Sequence, residues 1–392
     1  MIVEITVTIG LFLFAFYLGY FLLMRRKSSE GDSWSIPCET DFAPSVSVIV
    51  PAYNEENTIV HKLRNLLEQG YPNMEIIVVD DGSNDDTTKM VQSFIDRNSS
   101  KFRVRLVVLP KRKGKASALN YAWQHCNGEI VIISDADTTL GETAIKNLVQ
   151  NFCDQKVGAV TGRLSMVNYE QTSATKLEKS YRNVFDMLRL GESHMDSTPI
   201  FNGPLVALRK NLFDHLESDT IADDTEISLT IREKGYRAIF DPRATVYAFT
   251  PKSFKFRMKQ KIRRAQGIIQ SLHRHRKILF NPAYGKYGTI ILPCEFFMHV
   301  ISPLLLVLIS ILSLFILVYN SIILMYFMVI FGLVIIIYGL TFVALRRTSK
   351  DRTPINLIEM FATFLEHQTF LMLGLLLLSV RKKNVRWEKI KD

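Results

Sequence analysis

The sequence predicts an α/β fold, with a mostly parallel, doubly wound sheet, joined to helices that cross a membrane. Between residue 45 and about residue 250, short runs rich in Val and Ile alternate with helical stretches, which is typical of parallel strands buried on both faces. Long apolar runs lie on both sides of this region. The formal net charge is +10. The basic segments, which mostly flank those runs, carry +20, and the rest of the chain carries −10.

The first element is an apolar segment at residues 5–24, which has no charged residue and the length of a membrane-spanning helix. The basic residues 25–27 follow it, so we expect the N-terminus outside and the chain after them in the cytosol. A cleaved signal peptide is disfavoured, because no basic residue precedes the run and no cleavage site follows it. Residues 1–27 are therefore predicted as a membrane helix with a basic flank, and residues 28–44 as a linker.

Residues 45–250 are predicted to form a cytosolic domain in which strands and helices alternate. The strands are expected at 45–50, 75–80, 104–109 and 129–134, and the intervening helices at 55–69, 84–97 and 114–126. In such sheets, ligands bind beyond the carboxyl ends of the strands. We therefore expect the functional residues just after Val50, Val79 and Ser134.

Acidic residues follow three of these strands. Glu55 comes after the first strand, Asp80 and Asp81 come after the second, and Asp135 and Asp137 come after the fourth. The last two can face one cation, and oxygen ligands suit Mg²⁺ or Mn²⁺. Such a metal would neutralise a departing nucleoside diphosphate. An Asp-x-Asp pair can also cap a turn without binding a metal, but the position at a strand end beside a second acidic cluster favours metal binding.

A basic segment at residues 252–277 contains ten bases and no acid, and it can form a helix with an apolar side. Such a helix suits an anionic membrane surface, and the flanking apolar runs favour this over contact with nucleic acid. Residues 251–286 are predicted as this basic interfacial region, followed by two membrane helices within 287–345. Glu295 and His299 lie four residues apart, so they either line a glycan path or pair with each other.

The C-terminal region 346–392 is predicted as a third, partly interfacial membrane segment with a basic tail. A complete span over 355–380 would place the bases at 381–383 outside, against the positive-inside rule. We therefore expect a bent or interfacial start at 355–366, followed by a membrane-embedded piece.

Six motifs occur along the chain. They are Val-Ile-Val-Pro-Ala-Tyr-Asn-Glu at 48–55, Val-Val-Asp-Asp-Gly-Ser at 78–83, Lys-Gly-Lys-Ala-Ser-Ala-Leu-Asn at 113–120, Ser-Asp-Ala-Asp at 134–137, Asp-Asp at 223–224 and Gln-Lys-Ile-Arg at 260–263. In this order they resemble the family 2 glycosyltransferases, whose sheet domain has the A-type glycosyltransferase fold. The resemblance covers about residues 45–270 and then the membrane layout beyond them.

The resemblance implies a role for each motif. The donor-binding residues would be Pro51, Tyr53, Glu55, Asp81, Lys115, Asp135 and Arg263, and Asp135 and Asp137 would hold a Mg²⁺ or Mn²⁺ ion. The acceptor-binding residues would be Asn202, Gly203, Gln260 and Arg264. Arg264 stands where the family has Trp, so an aromatic platform for a sugar ring is lost there.

Asp224 would be the general base by the same resemblance. It falls near the start of a helix predicted over 225–234, so a helix cap is the alternative for this residue. One carboxylate that removes a proton from an acceptor hydroxyl gives a single displacement at the anomeric carbon. We therefore expect inversion, since no motif indicates the carboxylate nucleophile of a retaining mechanism.

The leading functional expectation is a polysaccharide synthase similar to the poly-N-acetylglucosamine, hyaluronan, chitin and cellulose synthases. It would be a multi-pass protein of the cytoplasmic membrane that uses a UDP-sugar in the cytosol, extends a β-linked chain and secretes it through its own helices. Its expected partners are the UDP-sugar, a glycan or lipid-linked acceptor, membrane lipids and a small membrane subunit, without nucleic acid. The alternatives are a single transfer to a lipid acceptor, as in ceramide glucosyltransferases, and a non-catalytic membrane subunit that binds nucleotide sugars.

Overall fold

A central sheet occupies the domain that the sequence predicts over residues 45–250. The structure, a computed structural model, describes residues 1–30, 42–98, 103–167, 173–249, 254–319, Gly332 and 357–380. Within them, the strands are β1 (Val46–Ala52), β2 (Met74–Asp80), β3 (Arg103–Val108), β4 (Ile130–Ser134), β5 (Thr139–Leu140), β6 (Val157–Met166), β7 (Leu205–Arg209) and β8 (Arg237–Ala248). They lie across the sheet in the order β3-β2-β1-β4-β7-β6-β8-β5.

The first half of the sheet is parallel, as expected. β1 pairs in parallel with β2 and β4, and β2 pairs in parallel with β3. β7 then runs antiparallel to both β4 and β6, and β5 runs antiparallel to β8, so the complete sheet is mixed. β1, β2 and β4 therefore end at one edge, where the segments after Ala52, Asp80 and Ser134 meet.

Helices cover both faces of the sheet. They are α1 (Ile2–Ser29), α2 (Ile59–Glu68), α3 (Thr87–Asn98), α4 (Lys115–Trp123), α5 (Ala144–Gln150), α6 (Ser173–Met195), α7 (Asp223–Glu233), α8 (Phe254–Arg274), α9 (Leu292–Phe296), α10 (Ser302–Tyr319) and α11 (Leu357–Ser379). Val48 and Val50 of β1 pack into one layer with Leu63 of α2, whereas Ile49 packs into the opposite layer with Leu119 of α4. Burial on both faces explains the continuous apolar runs of the central strands.

Two helices in the described part of the chain are long and apolar enough to cross a membrane, Ile2–Ser29 and Tyr287–Val318. The second contains α9 and most of α10, and each of these follows a π-helical turn. Within it, Nδ1 of His299 lies 3.1 Å from Oε2 of Glu295. These two residues therefore contact each other, which agrees with the pairing alternative raised by their spacing.

The apolar helix α1 is fixed to the sheet domain through α6. A Cβ atom built on Gly191 of α6 would lie only 2.2 Å from the carbonyl oxygen of Met24 on α1, so the two backbones touch. Close by, the hydroxyl of Tyr20 donates a 2.6 Å hydrogen bond to Oε1 of Glu192, and both residues are buried. Small residues allow such close helix crossings.

The basic helix expected over 252–277 is present as α8, and it packs between the sheet domain and α11. Apolar side chains of α8 contact the fully buried Leu371 of α11. Arg257 forms an ion pair with Glu366 of α11, and Nζ of Lys261 lies 3.3 Å from Oε2 of the same glutamate. This helix is therefore tied to α11 by charge as well as by apolar contact.

Some expectations fall on residues outside those that the structure describes. They include most of the linker 28–44, the apolar run 321–345 and the basic tail after residue 380. The C-terminal apolar segment is α11, and it is one uninterrupted helix from Leu357 to Ser379.

Replacement of Gly191 by Leu should separate α1 from α6, because the new side chain must displace the Met24 backbone. Overpacking of this kind costs about 1–3 kcal/mol. We expect a lower thermal unfolding midpoint for Gly191→Leu in detergent, measured by circular dichroism. Gly19→Leu on α1 is the matched control, since nothing lies within 4 Å of a Cβ built at Gly19. Equal midpoints for the two variants would contradict the close crossing.

Candidate active site

Lys115 joins two acidic segments at the sheet edge where β1, β2 and β4 end. Its ammonium donates to Oδ1 of Asp135 at 2.9 Å and lies 3.1 Å from Oδ2 of Asp223. Burial alone would lower the pKa of Lys115, but the two carboxylates raise it above its ordinary value. Lys115 begins α4, Asp135 follows β4 and Asp223 begins α7, so one cation connects three elements.

The turn that contains Asp135 and Asp137 concentrates negative charge. Although the Asp137 side chain is partly open to solvent, the protein around it and the carboxylates of Asp135 and Glu55 raise its pKa to about 6. The described residues contain no group of three or more His, Cys, Asp or Glu side chains arranged around a metal. The carboxylate oxygens of Asp135 and Asp137 are of the kind that Mg²⁺ and Mn²⁺ prefer.

A buried lysine supports this acidic turn from behind. Lys62 of α2 is 1% exposed, and its Nζ donates to Oγ of Ser134 at 2.8 Å and to the carbonyl oxygen of Thr138 at 3.0 Å. These two partners lie on either side of the turn, so one side chain fixes both of its ends. Burial lowers the pKa of Lys62 to about 7, although the charges of Asp135 and Asp137 oppose the shift.

Asp224 is the second residue of α7, whose N-cap is Ala222, so the capping alternative for this aspartate is wrong. Its Oδ1 accepts a 2.8 Å hydrogen bond from the backbone N–H of Thr225. Burial raises the pKa of Asp224, and the neighbouring Asp223 adds to the rise, while Arg264 opposes it. A buried carboxylate with a raised pKa suits a general base.

The loop before β7 faces Asp224. A Cβ atom built on Gly203 would lie 3.2 Å from Oδ2 of Asp224, so the glycine leaves the space beside this carboxylate open. The adjacent Asn202 is buried, and its Nδ2 donates to the carbonyl oxygen of Gly162 at 2.9 Å. Gly203 thus adjoins the candidate base, whereas the amide nitrogen of Asn202 is bonded to the sheet.

Arg263 reaches the acidic centre from α8. Asp223 and Asp135 are its strongest electrostatic partners, yet it forms no hydrogen bond or ion pair with another described residue. Its donors are therefore available for an anion that enters between these carboxylates.

The other two α8 residues with predicted roles occupy different positions. Nη2 of Arg264 donates to the carbonyl oxygen of Phe201 at 3.3 Å, so Arg264 lies at the loop before Gly203. Gln260 is exposed on α8, and its acceptor role stays a prediction.

The corner where β1 and β2 end holds Tyr53 and Asp81. The guanidinium carbon of Arg112 lies 3.8 Å from the centroid of the Tyr53 ring. Both carboxylate oxygens of Asp81 accept backbone N–H bonds, from Lys113 at 2.7 Å and from Gly114 at 2.8 Å. Asp81 therefore fixes the loop that leads into α4.

Pro51 and Glu55 form the floor of the same corner. Pro51 lies within β1, opposite Val79, and is buried. Glu55 is 1% exposed, its backbone N–H donates to Oγ1 of Thr87 at 2.7 Å, and its Oε2 accepts from the hydroxyl of Thr58 at 2.5 Å. Both residues therefore form the buried side of this corner.

Three residues of the site have no predicted role in the sequence analysis: Lys62, Arg112 and Asp223. Asp223 belongs to the Asp-Asp motif at 223–224 but had no role assigned, and the contact with Lys115 reveals its part. Lys62 could have been noticed, because it lies on the apolar face of α2, three residues after Ile59. Arg112 belongs to a short basic run that gave no signal of its own.

Residues 47–217 match the family model described as Glycosyl transferase family 2. The chain is 31% identical over 233 residues to the probable glycosyltransferase YdaM of Bacillus subtilis, covering 57% of this chain and 55% of YdaM. It is 27% identical over 231 residues to the poly-beta-1,6-N-acetyl-D-glucosamine synthase of Staphylococcus aureus, covering 58% and 55%. The chain thus spans about half the length of these curated relatives.

A solved structure resembles nearly the whole chain. It is the mannosyltransferase PcManGT from Pyrobaculum calidifontis in complex with GDP-Man and Mn²⁺, with a TM-score of 0.78 and 27% sequence identity. The similarity covers 97% of this chain and 100% of that chain. It confirms the A-type glycosyltransferase fold expected from the sequence.

The buried Lys62 should make stability depend on pH. Its folded pKa of about 7 lies below the model-peptide value of 10.5, so the folded state binds fewer protons than the unfolded state between these values. The loss in free energy of unfolding that the buried charge causes is fully present below about pH 7. It becomes smaller as the pH rises toward about 10. Relative to Lys62→Met, the free energy of unfolding of the wild type should rise by a few kcal/mol over this range, since each pKa unit corresponds to about 1.4 kcal/mol.

The measurement is the unfolding midpoint of the full chain against pH, without added metal. Lys146→Met is the control, since Lys146 is exposed and its variant should track the wild type. Parallel curves for the wild type and Lys62→Met would show that Lys62 is not a buried, depressed amine.

Proposed function

We propose that this chain, which contains a family 2 glycosyltransferase domain, transfers one sugar from a nucleoside diphosphate sugar to an acceptor hydroxyl at a membrane surface. The transfer would depend on a divalent metal and would invert the anomeric centre. The proposal rests on the Lys115 bridge between Asp135 and Asp223. This bridge connects the acidic turn at the carboxyl edge of the sheet to the start of α7, which carries the candidate base Asp224. Cations, paired acids and a buried base are the groups that this reaction needs.

The donor diphosphate would bind among the cations of the acidic centre. Lys115 and Arg263 both lie among the carboxylates there, and Arg263 has donors to offer. Asp135 and Asp137 would hold a Mg²⁺ or Mn²⁺ ion, which supplies positive charge against the diphosphate leaving group. The resemblance to a mannosyltransferase bound to GDP-Man and Mn²⁺ supports both the donor class and the metal.

The acceptor would approach through the space that Gly203 leaves beside Asp224. The Asp224 carboxylate would take the proton of the acceptor hydroxyl as that oxygen bonds to the anomeric carbon. The bond between this carbon and the diphosphate oxygen breaks in the same step, so the configuration inverts. The raised pKa of Asp224 makes it a stronger base than an exposed aspartate.

The helices and the charge around the domain support a membrane location. The two apolar helices Ile2–Ser29 and Tyr287–Val318 are long enough to span a bilayer, and the basic α8 lies between the domain and the apolar α11. We propose that the acceptor is carried by a lipid or a membrane-bound glycan. Catalysis would take place on the cytosolic side of the cytoplasmic membrane.

Single transfer and chain extension are both compatible with this chemistry. Arg264 in place of an aromatic platform favours single transfer, because a sugar ring would lose a stacking surface there. Extension of a polysaccharide is the second candidate, supported by the similarity to the poly-beta-1,6-N-acetyl-D-glucosamine synthase over about half of each chain.

Asp224→Asn should abolish most of the transfer while nucleotide binding remains. Loss of a general base lowers the rate by about 10²- to 10⁴-fold. The assay is release of nucleoside diphosphate by purified protein with Mn²⁺, a panel of UDP- and GDP-sugars and membrane lipid extract. Asp214→Asn, at an exposed aspartate, should keep the wild-type rate, and chelation of the metal should stop the wild type. Turnover by Asp224→Asn at the wild-type rate would refute the base assignment, and a wild type inactive with every donor would support a non-catalytic subunit.

With the donor that supports turnover, the acceptor product should carry one added sugar. We would label the sugar with ¹⁴C and determine the size of the product by gel filtration and thin-layer chromatography. A single lipid-soluble species is expected for transfer to one membrane acceptor. A ladder or a high-molecular-weight product would instead establish chain extension.

A further inference from the structure

We infer that Arg112 reads the base of the donor nucleotide and favours guanine over uracil. This inference rests on the proposed function, in which the site binds a nucleoside diphosphate sugar. It departs from the UDP-sugar expected from the sequence, and it assigns a specificity-determining role to a residue outside the six motifs.

Backbone contacts hold the Arg112 loop at the corner where β1 and β2 end. Asp81 binds the N–H groups of the next two residues, Lys113 and Gly114, and so fixes the loop. Gly82, at the turn after β2, has a positive φ of 70°, and a Cβ built there would lie 2.8 Å from the backbone nitrogen of Arg112. The Arg112 loop therefore lies directly against the end of β2.

The side chain of Arg112 is placed on an aromatic platform. Its guanidinium lies over the ring of Tyr53, which follows β1, with 3.8 Å between the guanidinium carbon and the ring centroid. Stacking of this kind orients the planar guanidinium and leaves its N–H edges free to form hydrogen bonds. The ring of Tyr53 thereby sets the plane in which Arg112 can donate.

Two donors of Arg112 have no partner in the described part of the chain. They are Nε and Nη2, and both are buried. These two nitrogens donate on the same side of the guanidinium, where they form a fork that suits two adjacent acceptors. A buried donor without a partner is costly, so a ligand that satisfies both removes a penalty present in the free protein.

Guanine matches this fork better than uracil does. The O6 and N7 atoms of guanine are two adjacent acceptors on one edge, and arginine recognises this pair with two hydrogen bonds. Uracil has the acceptor O4 next to an N–H donor, so it can satisfy only one donor of the fork. A bidentate contact of this type discriminates between bases by about ten- to a hundredfold.

The test compares GDP and UDP binding to the purified full chain with Mn²⁺, by isothermal titration calorimetry. The wild type should bind GDP about ten- to a hundredfold more tightly than UDP. Arg112→Gln should lose this preference while its affinity for UDP stays close to that of the wild type. Arg112→Lys keeps the charge but lacks the fork, so it should lose the preference too. Lys111→Gln removes an exposed charge from the same loop and should keep the preference.

Several outcomes would overturn the inference without touching the proposed function. One is a wild type that binds UDP at least as tightly as GDP. Another is an equal loss of both nucleotides in Arg112→Gln, which would assign Arg112 to the diphosphate. A GDP preference that survives in Arg112→Lys with an unchanged unfolding midpoint would show that charge, not the fork, matters. Failure of the wild type to bind either nucleotide would instead refute the proposed function.

Discussion

The arrangement of the site depends on one buried ammonium. Lys115 contacts Asp135 and Asp223, which belong to segments 88 residues apart in sequence. Without a cation between them, these partly buried carboxylates would repel each other. The bridge therefore fixes the start of α7 against the end of β4, and with it the position of Asp224. In the proposed function, a donor diphosphate would share Lys115 with these carboxylates, which would couple ligand binding to the geometry around Asp224.

The remaining charges around this bridge are arranged in two layers. Behind the acidic turn, Lys62 bonds to Ser134 and Thr138 and needs no ligand to hold its place. In front of it, Arg263 has no hydrogen bond or ion pair within the described residues. One cation thus stabilises the acidic turn from within the protein, and the other has donors that an anion could accept. In the proposed function, this division would let a pre-formed acidic centre bind the donor diphosphate.

The sequence was sufficient for the fold and for the acids at the strand ends. Continuous Val and Ile runs identify strands buried on two faces, and the end of each run marks the sheet edge. It was not sufficient for Lys62, Arg112 and Asp223, because their roles arise from contacts between distant segments. Gln260 is exposed on α8, so its acceptor role stays a prediction. The antiparallel insertion of β7 also lay beyond sequence patterns, since a strand's direction is set by its neighbours.

The helix α8 gives the site a mechanical connection to the apolar helices. Near its centre, Arg263 lies by Asp223 and Asp135, and Arg264 donates a hydrogen bond to the loop before Gly203. One and two turns earlier, Lys261 and Arg257 pair with Glu366 of α11. Because a helix is stiff over this distance, a displacement of α11 would carry the two arginines with it. The chain therefore joins its candidate acceptor side to an apolar helix through one rigid element, which is the coupling that an acceptor bound at a membrane would require.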